Sequence, residues 1–326
     1  MKRDHRCLLG RTMAAACILS VGMLGHDAWP QTTPTVKFLV PFGPGSSIDF
    51  LARLTAEQIG RSQAQAPIVE NRPGAGTIVA ADAAARAAPD GSTVLFVNNP
   101  FVINPHLRKV AYDPLTSFEP ICHLVDLPNV IVVNAGSPYH SLAELLRAAR
   151  DRPGTLTLAS VGPGSASQIA FEVLKRAAGV QMTFVPFQGS PAAVNALLGD
   201  HVTSVFTAYA DVIEQLNAGK LRALAVASRS RIAPLPDLPT VAESGFDGYE
   251  ADLWYGVVAP AKTPKEVITR LAGWFAGALA APDLREKLVA QGIYPAAMCD
   301  ADFRALIHKQ FDEYGNVIRE ANIKAE

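Results

Sequence analysis

Two short turns hold the residues best suited to chemistry in this 326-residue chain: Gly43-Pro44-Gly45-Ser46-Ser47 and Gly162-Pro163-Gly164-Ser165-Ala166-Ser167. Each follows an apolar run and precedes a helical pattern. Gly lets backbone approach a ligand closely, and the first helical amides have no partner inside the helix. Those amides, the helix dipole and the Ser hydroxyls together suit an anion. Either turn alone reads equally as a strand-to-helix connection with Ser as N-cap. Two of them, one in each half of the chain, point to an anion held between halves. Neither completes Gly-x-Gly-x-x-Gly, since Ile48 and Ser167 take the last place, and neither carries a phosphate-loop Lys. Nucleotide and dinucleotide binding are therefore not expected.

Further residues echo the pair. Pro41-Phe42 precedes the first turn, and Pro186-Phe187-Gln188-Gly189 ends a run in the second half, so each half offers an aromatic wall and amides, or else two core phenyl rings. Asp49 falls in the first turn of the helix after the first loop, where its charge suits the dipole and its carboxylate can hold the loop from behind. Catalytic patterns are missing: the sequence has no Gly-x-Ser-x-Gly elbow and no His-x-x-x-His or Cys-x-x-Cys spacing. No metal, cofactor or enzymatic activity is expected.

These loops need strands and helices to position them. Short β-type runs (36–40, 68–70, 93–97, two within 121–134 of which 131–133 is the clearer, 156–160, 183–185, 202–206, 221–227, 253–258) alternate with helical stretches (48–60, 78–88, 141–150, 168–178, 192–198, 212–218), which predicts an α/β fold with mainly parallel sheets. Ser141 with Glu144 forms a capping-box signature. Three helices, starting near Pro264, Pro282 and Asp302, close the chain.

Composition sets the limits. With 49% hydrophobic and 18% charged residues the chain can bury a large core, and a net charge of −1 leaves no basic footprint for nucleic acid. Lys2, Arg3, Arg6 and Arg11 flank an apolar run from Met13 to Leu24, so 1–28 reads as an export signal. Its removal takes four basic and two acidic residues and leaves a charge of −3. Of the four Cys, Cys122 and Cys299 remain; they form either a disulfide or two small buried apolar residues.

A series of motifs then recurs in one order: 40–45 (Val-Pro-Phe-Gly-Pro-Gly) through Asp49, 69–76 (Val-Glu-Asn-Arg-Pro-Gly-Ala-Gly), Ala88-Pro89-Asp90-Gly91, Ile103-Asn104-Pro105, Tyr112-Asp113-Pro114 and 235–245 (Leu-Pro-Asp-Leu-Pro-Thr-Val-Ala-Glu-Ser-Gly). In these the chain resembles the tripartite tricarboxylate transporter receptors, the Bug or TctC-like extracytoplasmic solute-binding proteins. The resemblance implies a two-lobe periplasmic binding protein of type II, a Venus flytrap with its ligand cleft between lobes. Lobe 1 would combine 34–124 and 252–326, and lobe 2 would span 125–251, with crossings near 121–126 and 250–254. The implied function is capture of a small carboxylate in the periplasm, by a monomer, for the membrane permease of a tripartite transporter or for a sensor. The implied ligand-binding residues are Phe42, Gly45, Ser46, Ser47, Asp49, Asn98 and Asn99, with Ser160, Gly164, Ser165, Ala166, Ser167, Gln188, Gly189, Thr207 and Tyr209 from lobe 2. Two departures bear on the ligand. Relatives carry an acidic residue where Thr207 stands and His where Gln168 stands. Thr207 leaves a ligand ammonium without a counter-ion, and Tyr209 suits stacking on an apolar ligand. The alternatives are an exported α/β hydrolase using Ser46 or Ser165, and a scaffold or sensor relative that has lost its ligand.

Overall fold

The computed structural model describes residues 35–63, 65–162, 165–187 and 189–324; the expected export signal, Gly164 and Gln188 lie outside the described residues. The chain builds two sheets. The first half supplies β1 (Lys37–Val40), α1 (Ser47–Ser62), β2 (Ile68–Asn71), α2 (Ile78–Ala85), β3 (Thr93–Asn98), α3 (Pro100–Leu107) and β4 (Phe118–Leu127). The middle adds β5 (Asn129–Asn134), α4 (Leu142–Asp151), β6 (Thr157–Val161), α5 (Ala166–Ala178), β7 (Thr183–Phe187), α6 (Ser190–Leu198), β8 (Ser204–Ala208), α7 (Ile213–Asn217) and β9 (Leu221–Val226). The chain then returns to the first sheet with β10 (Leu253–Pro260), α8 (Lys265–Ala280), α9 (Pro282–Ala290), β11 (Tyr294–Cys299) and α10 (Ala301–Ala321).

Strand order is β11-β4-β10-β3-β1-β2 in the first sheet and β7-β6-β8-β5-β9 in the second. The expected mainly parallel pairing is corrected here. β1 pairs in parallel with β2 and β3, and β6 with β7 and β8, but β10 runs antiparallel to both β3 and β4, and β5 antiparallel to both β8 and β9. A strand that returns from the other sheet enters from the opposite end, so each crossing leaves an antiparallel pair behind it.

Apolar residues crowd these strands because helices cover both faces. Phe38, Val40, Val94 and Phe96 pack under α1, α8 and α9, while Leu39, Leu95 and Val97 meet α2, α3 and α10 from the other side. The second sheet divides the same way: Ile131, Val133, Leu158 and Phe206 face α4 and α5, and Val130, Val132, Ala159 and Val205 face α6. The capping signature forms by half: the Ser141 hydroxyl accepts from the Glu144 amide, while Glu144 reaches the His140 amide in place of that of Ser141. Two elements lay outside the sequence pattern, α3 with Pro105 inside it and β11 with Pro295.

The chain changes sheets at Pro128 and again between β9 and β10. Both passages are tied together: Asn129 Nδ2 donates to the Ala251 carbonyl at 2.7 Å, and the Ala251 amide donates to Ala227 at 2.9 Å. Cys122 and Cys299 form a disulfide that fastens β11 to β4, resolving the choice the sequence left open.

Candidate ligand cleft

The two Gly/Ser loops are copies of one local geometry. Ser46 is the N-cap of α1 with φ −70° and ψ 157°, and Ser165 is the N-cap of α5 with φ −72° and ψ 154°. Each hydroxyl accepts from the amide three residues on, Asp49 at 3.3 Å and Gln168 at 3.2 Å. Each donates backward into its own turn, Ser46 to Gly43 at 2.9 Å and Ser165 to Val161 at 2.6 Å. The first bonds between main-chain groups of these helices start at Phe50 and Ile169, which leaves the amides of Ser47, Ile48, Ala166 and Ser167 ahead of the ladder. Both helices follow the carboxyl ends of parallel strands, where open α/β sheets bind ligands.

Asp49 holds the first loop. Its carboxylate is buried and accepts from the Gly45 amide at 2.9 Å, Asn71 Nδ2 at 2.8 Å and Arg53 Nε at 3.0 Å. Burial alone would raise this carboxyl; the bonds from Arg53, Gly45 and Asn71 outweigh it and keep the group below the ordinary carboxylate range. Gly45 sits at φ +84°, a left-handed conformation that Gly adopts freely, and the Asp49 bond fixes it. Asp49→Ala is expected to cost about 2 kcal/mol of stability, the worth of charged hydrogen bonds at a partly exposed partner, and to weaken ligand binding at least tenfold because the loop loses its brace. Thermal melts and titration calorimetry check both; unchanged affinity would show that the loop does not touch the ligand.

Ser47, outside the cap, reaches across its own lobe: its Oγ lies 2.7 Å from the Tyr255 hydroxyl of β10. Phe42 is half-buried against the core under α1, and Phe187 half-buried on the α6 side of the second sheet. Asn98, paired in register with Tyr255, is buried with its Oδ1 unpartnered. Ser160 is fully buried and donates to the Phe206 carbonyl at 2.7 Å, so its hydroxyl is spent inside the sheet. Ala166 and Ser167 are buried in the first turn of α5, and Gly189, at φ 147°, caps α6.

Three residues take roles the sequence did not show. Asn99 is buried as a strut at the second crossing, donating to the Tyr314 hydroxyl at 3.0 Å and accepting from the Trp254 amide at 3.2 Å. Tyr209 is only 3% exposed and packs in the core of lobe 2, so its ring does not lie open for stacking. It also meets lobe 1, where a Cβ added to Gly292 would fall 2.5 Å from the Tyr209 ring. Thr207 Oγ1 donates to Asp211 Oδ2 at 2.7 Å. Asp211, four positions on, is a residue that sequence reading passed over. Its carboxyl is raised by desolvation, against bonds from Ser190, Thr207 and the Ala208 amide.

A cavity of about 610 Å³ lies between α5, α10 and residues 248–254, lined by Asp126, Glu250, Asp252, Lys309 and Glu313 among others. Among the described residues, no group of three or more His, Cys, Asp or Glu side chains is placed to hold a metal ion.

A family profile described as "Tripartite tricarboxylate transporter family receptor" matches residues 51–323. The chain belongs to this TctC family. It is a solute-binding receptor, and neither the family nor its structural neighbours are enzymes. The receptor is 34% identical over 301 residues to the UPF0065 protein in the tcbD-tcbE intergenic region of Pseudomonas sp. strain P51, covering 92% of this chain and 89% of that one. Among solved structures it resembles R. palustris Rpa4515 with adipate (TM-score 0.83, 32% identity, 91% of this chain and 99% of that one). It also resembles MatC from Rhodopseudomonas palustris with bound malate (TM-score 0.77, 28% identity, 88% and 99%). This TctC-family receptor therefore has the two-lobe fold of periplasmic binding proteins.

Proposed function

We propose that this receptor captures a small carboxylate between its two Gly/Ser loops, in the periplasm and as a monomer, and presents it to the permease subunits of a tripartite tricarboxylate transporter or to a sensor. The observation that carries this reading is the duplication of the loop: two N-capped helices of the same geometry, each with its first amides ahead of the helical ladder at a sheet's carboxyl edge. The adipate and malate bound by the two neighbours support the same chemistry. A chain with no positive excess attracts an anion locally, through backbone amides and helix ends. About four charge-assisted hydrogen bonds at roughly 2 kcal/mol each give on the order of 8 kcal/mol before closure costs, which caps affinity near the micromolar range.

The hydrolase alternative loses its nucleophiles. The hydroxyls of Ser46 and Ser165 donate to backbone carbonyls and accept from helix amides, and no His appears among those partners. Thermal-shift titration with a carboxylate panel tests the proposed function: a true ligand raises the melting temperature with concentration, by about 2.7 kcal/mol of stabilisation at one hundred times Kd. A flat response to every carboxylate would remove the reading's support.

A further inference from the structure

The cavity of about 610 Å³ lies between α5 of lobe 2, α10 of lobe 1 and the second crossing. Its volume falls within the range of small-molecule pockets, about 300–1,000 Å³. Of the residues assigned to the carboxylate it shares Ala166 alone, so it is a separate site. Its wall has two characters. Ile169, Ala170 and Val173 of α5 and Leu306 and Val317 of α10 form an apolar surface that suits a hydrocarbon body. The crossings supply carboxyls: Asp126 stands at the first, Glu250 and Asp252 in the second. Among the described lining residues Lys309 is the one Lys or Arg, and Glu313 faces it at 3.7 Å. Asp126 has His123 Nε2 at 2.9 Å, and Asp252 accepts from the Ser228 hydroxyl at 2.8 Å. The carboxyls of the two crossings thus have neither Lys nor Arg as a partner.

His123 gives a second indication. It lines the same cavity, is 3% exposed and keeps Nδ1 without a hydrogen-bond partner. Its Nε2 lies 3.0 Å from the Val125 carbonyl and against the Asp126 carboxyl, both acceptors, so in the neutral ring Nε2 carries the hydrogen and Nδ1 is an acceptor that lacks a donor. Buried acceptors ordinarily have a partner. Two donors of the wall are already engaged, Trp254 Nε1 to Gln310 Oε1 at 3.3 Å and the Tyr249 hydroxyl to the Ala170 carbonyl at 2.9 Å. The polar side therefore suits a positively charged donor. Among the described residues no three His, Cys, Asp or Glu side chains are placed to hold a metal ion, so the cation that fits is organic.

We propose that this cavity is a second binding site, for an aliphatic diamine whose ammonium groups pair with the carboxyls of the two crossings and whose methylenes lie along α5 and α10. It is independent of the carboxylate reading. A diamine suits three carboxyls better than a monoamine, which would leave two of them without counter-charge. Desolvation and then repulsion from Asp126 and Glu250 raise the Asp252 carboxyl to about 7, and an ammonium relieves both.

Calorimetry of diaminobutane with the full mature protein at pH 8 tests it, with butylamine and butanediol as matched probes. The diamine is expected to bind at least tenfold more tightly than butylamine, and butanediol not to bind. Asp252→Asn and Glu250→Gln are each expected to weaken the diamine at least fivefold; Asn keeps the acceptor for Ser228, so its loss of binding is not a loss of fold. The titratable groups around Asp252 are His123 and Asp126 on β4, Tyr249 and Glu250 beside it, and Lys309, Glu313 and Tyr314 on α10, while the lining face of α5 carries none. Because Asp252 must ionise to pair, wild-type affinity is expected to fall roughly tenfold from pH 8 to pH 6, and Asp252→Asn to flatten that fall. Equal binding of diamine, monoamine and diol, a diamine affinity that neither variant changes, or no diamine binding at millimolar concentration overturns the proposal. Displacement of the diamine by a carboxylate ligand would place it in the cleft between the Gly/Ser loops and overturns it as well.

Discussion

Asp252→Asn is expected to flatten the fall of this protein's stability with rising pH. Asp252 sits at the second crossing, accepts from the Ser228 hydroxyl at 2.8 Å and lines the 610 Å³ cavity. Desolvation raises its carboxyl to about 7, with Asp126 and Glu250 adding repulsion and Ser228 and the Asn129 amide opposing. The sign follows from proton counts. Between the unfolded value of 3.8 and about 7 the native state binds more protons than the unfolded one, so stability falls as pH rises across that window. Three pKa units correspond to about 4 kcal/mol in all, of which roughly 2–3 kcal/mol falls between pH 5 and pH 8. Asn keeps the bond to Ser228 and cannot ionise. Denaturant unfolding of wild type and variant across pH 5 to 8 should give difference curves that shift by that amount in the variant's favour at high pH; parallel curves would show that Asp252 is ionised throughout.

Removing the disulfide is expected to have an effect of similar size. Cys122 and Cys299 are separated by 177 positions, so their bond closes a long loop and restricts the unfolded chain strongly. Typical worth is about 2–4 kcal/mol, or roughly 3–6 °C in melting temperature for a chain of this length. The bond also anchors β11, whose pairing with β4 is interrupted between Pro295 and Met298. The double variant Cys122→Ala/Cys299→Ala, melted beside oxidised and reduced wild type, should match the reduced protein to within a few degrees. A loss below 2 °C would show that the β11–β4 pairing stands without the bridge.

What could be read from the chain was local. Ser46 and Ser165 are recognisable as caps because their partners lie within four residues, Gly43 and Asp49 for one and Val161 and Gln168 for the other. Asp49 was assigned its place behind the loop for the same reason, since Gly45 is four positions away. Tyr209 suited stacking by its place beside position 207, and only the packing of lobe 2 and the bare Cα of Gly292 bury its ring. β11 escaped because Tyr294-Pro295-Ala296-Ala297 carries neither β-branched residues nor alternation; its strand conformation is imposed by β4 and the disulfide.

The sequence by itself determined the paired Gly/Ser loops with their Ser caps, the α/β alternation and, through its ordered motifs, the receptor family. Those features depend on hydrogen bonds and side-chain preferences spanning a few residues, which every segment carries with it. Tertiary structure alone decided the direction of β10 and β5, the Cys122–Cys299 bridge and the convergence of Ser47, Tyr255, Thr207 and Asp211 on one interface. Ser47 and Tyr255 are 208 positions apart. Their meeting follows from where the chain re-enters the first sheet, and no local preference records that.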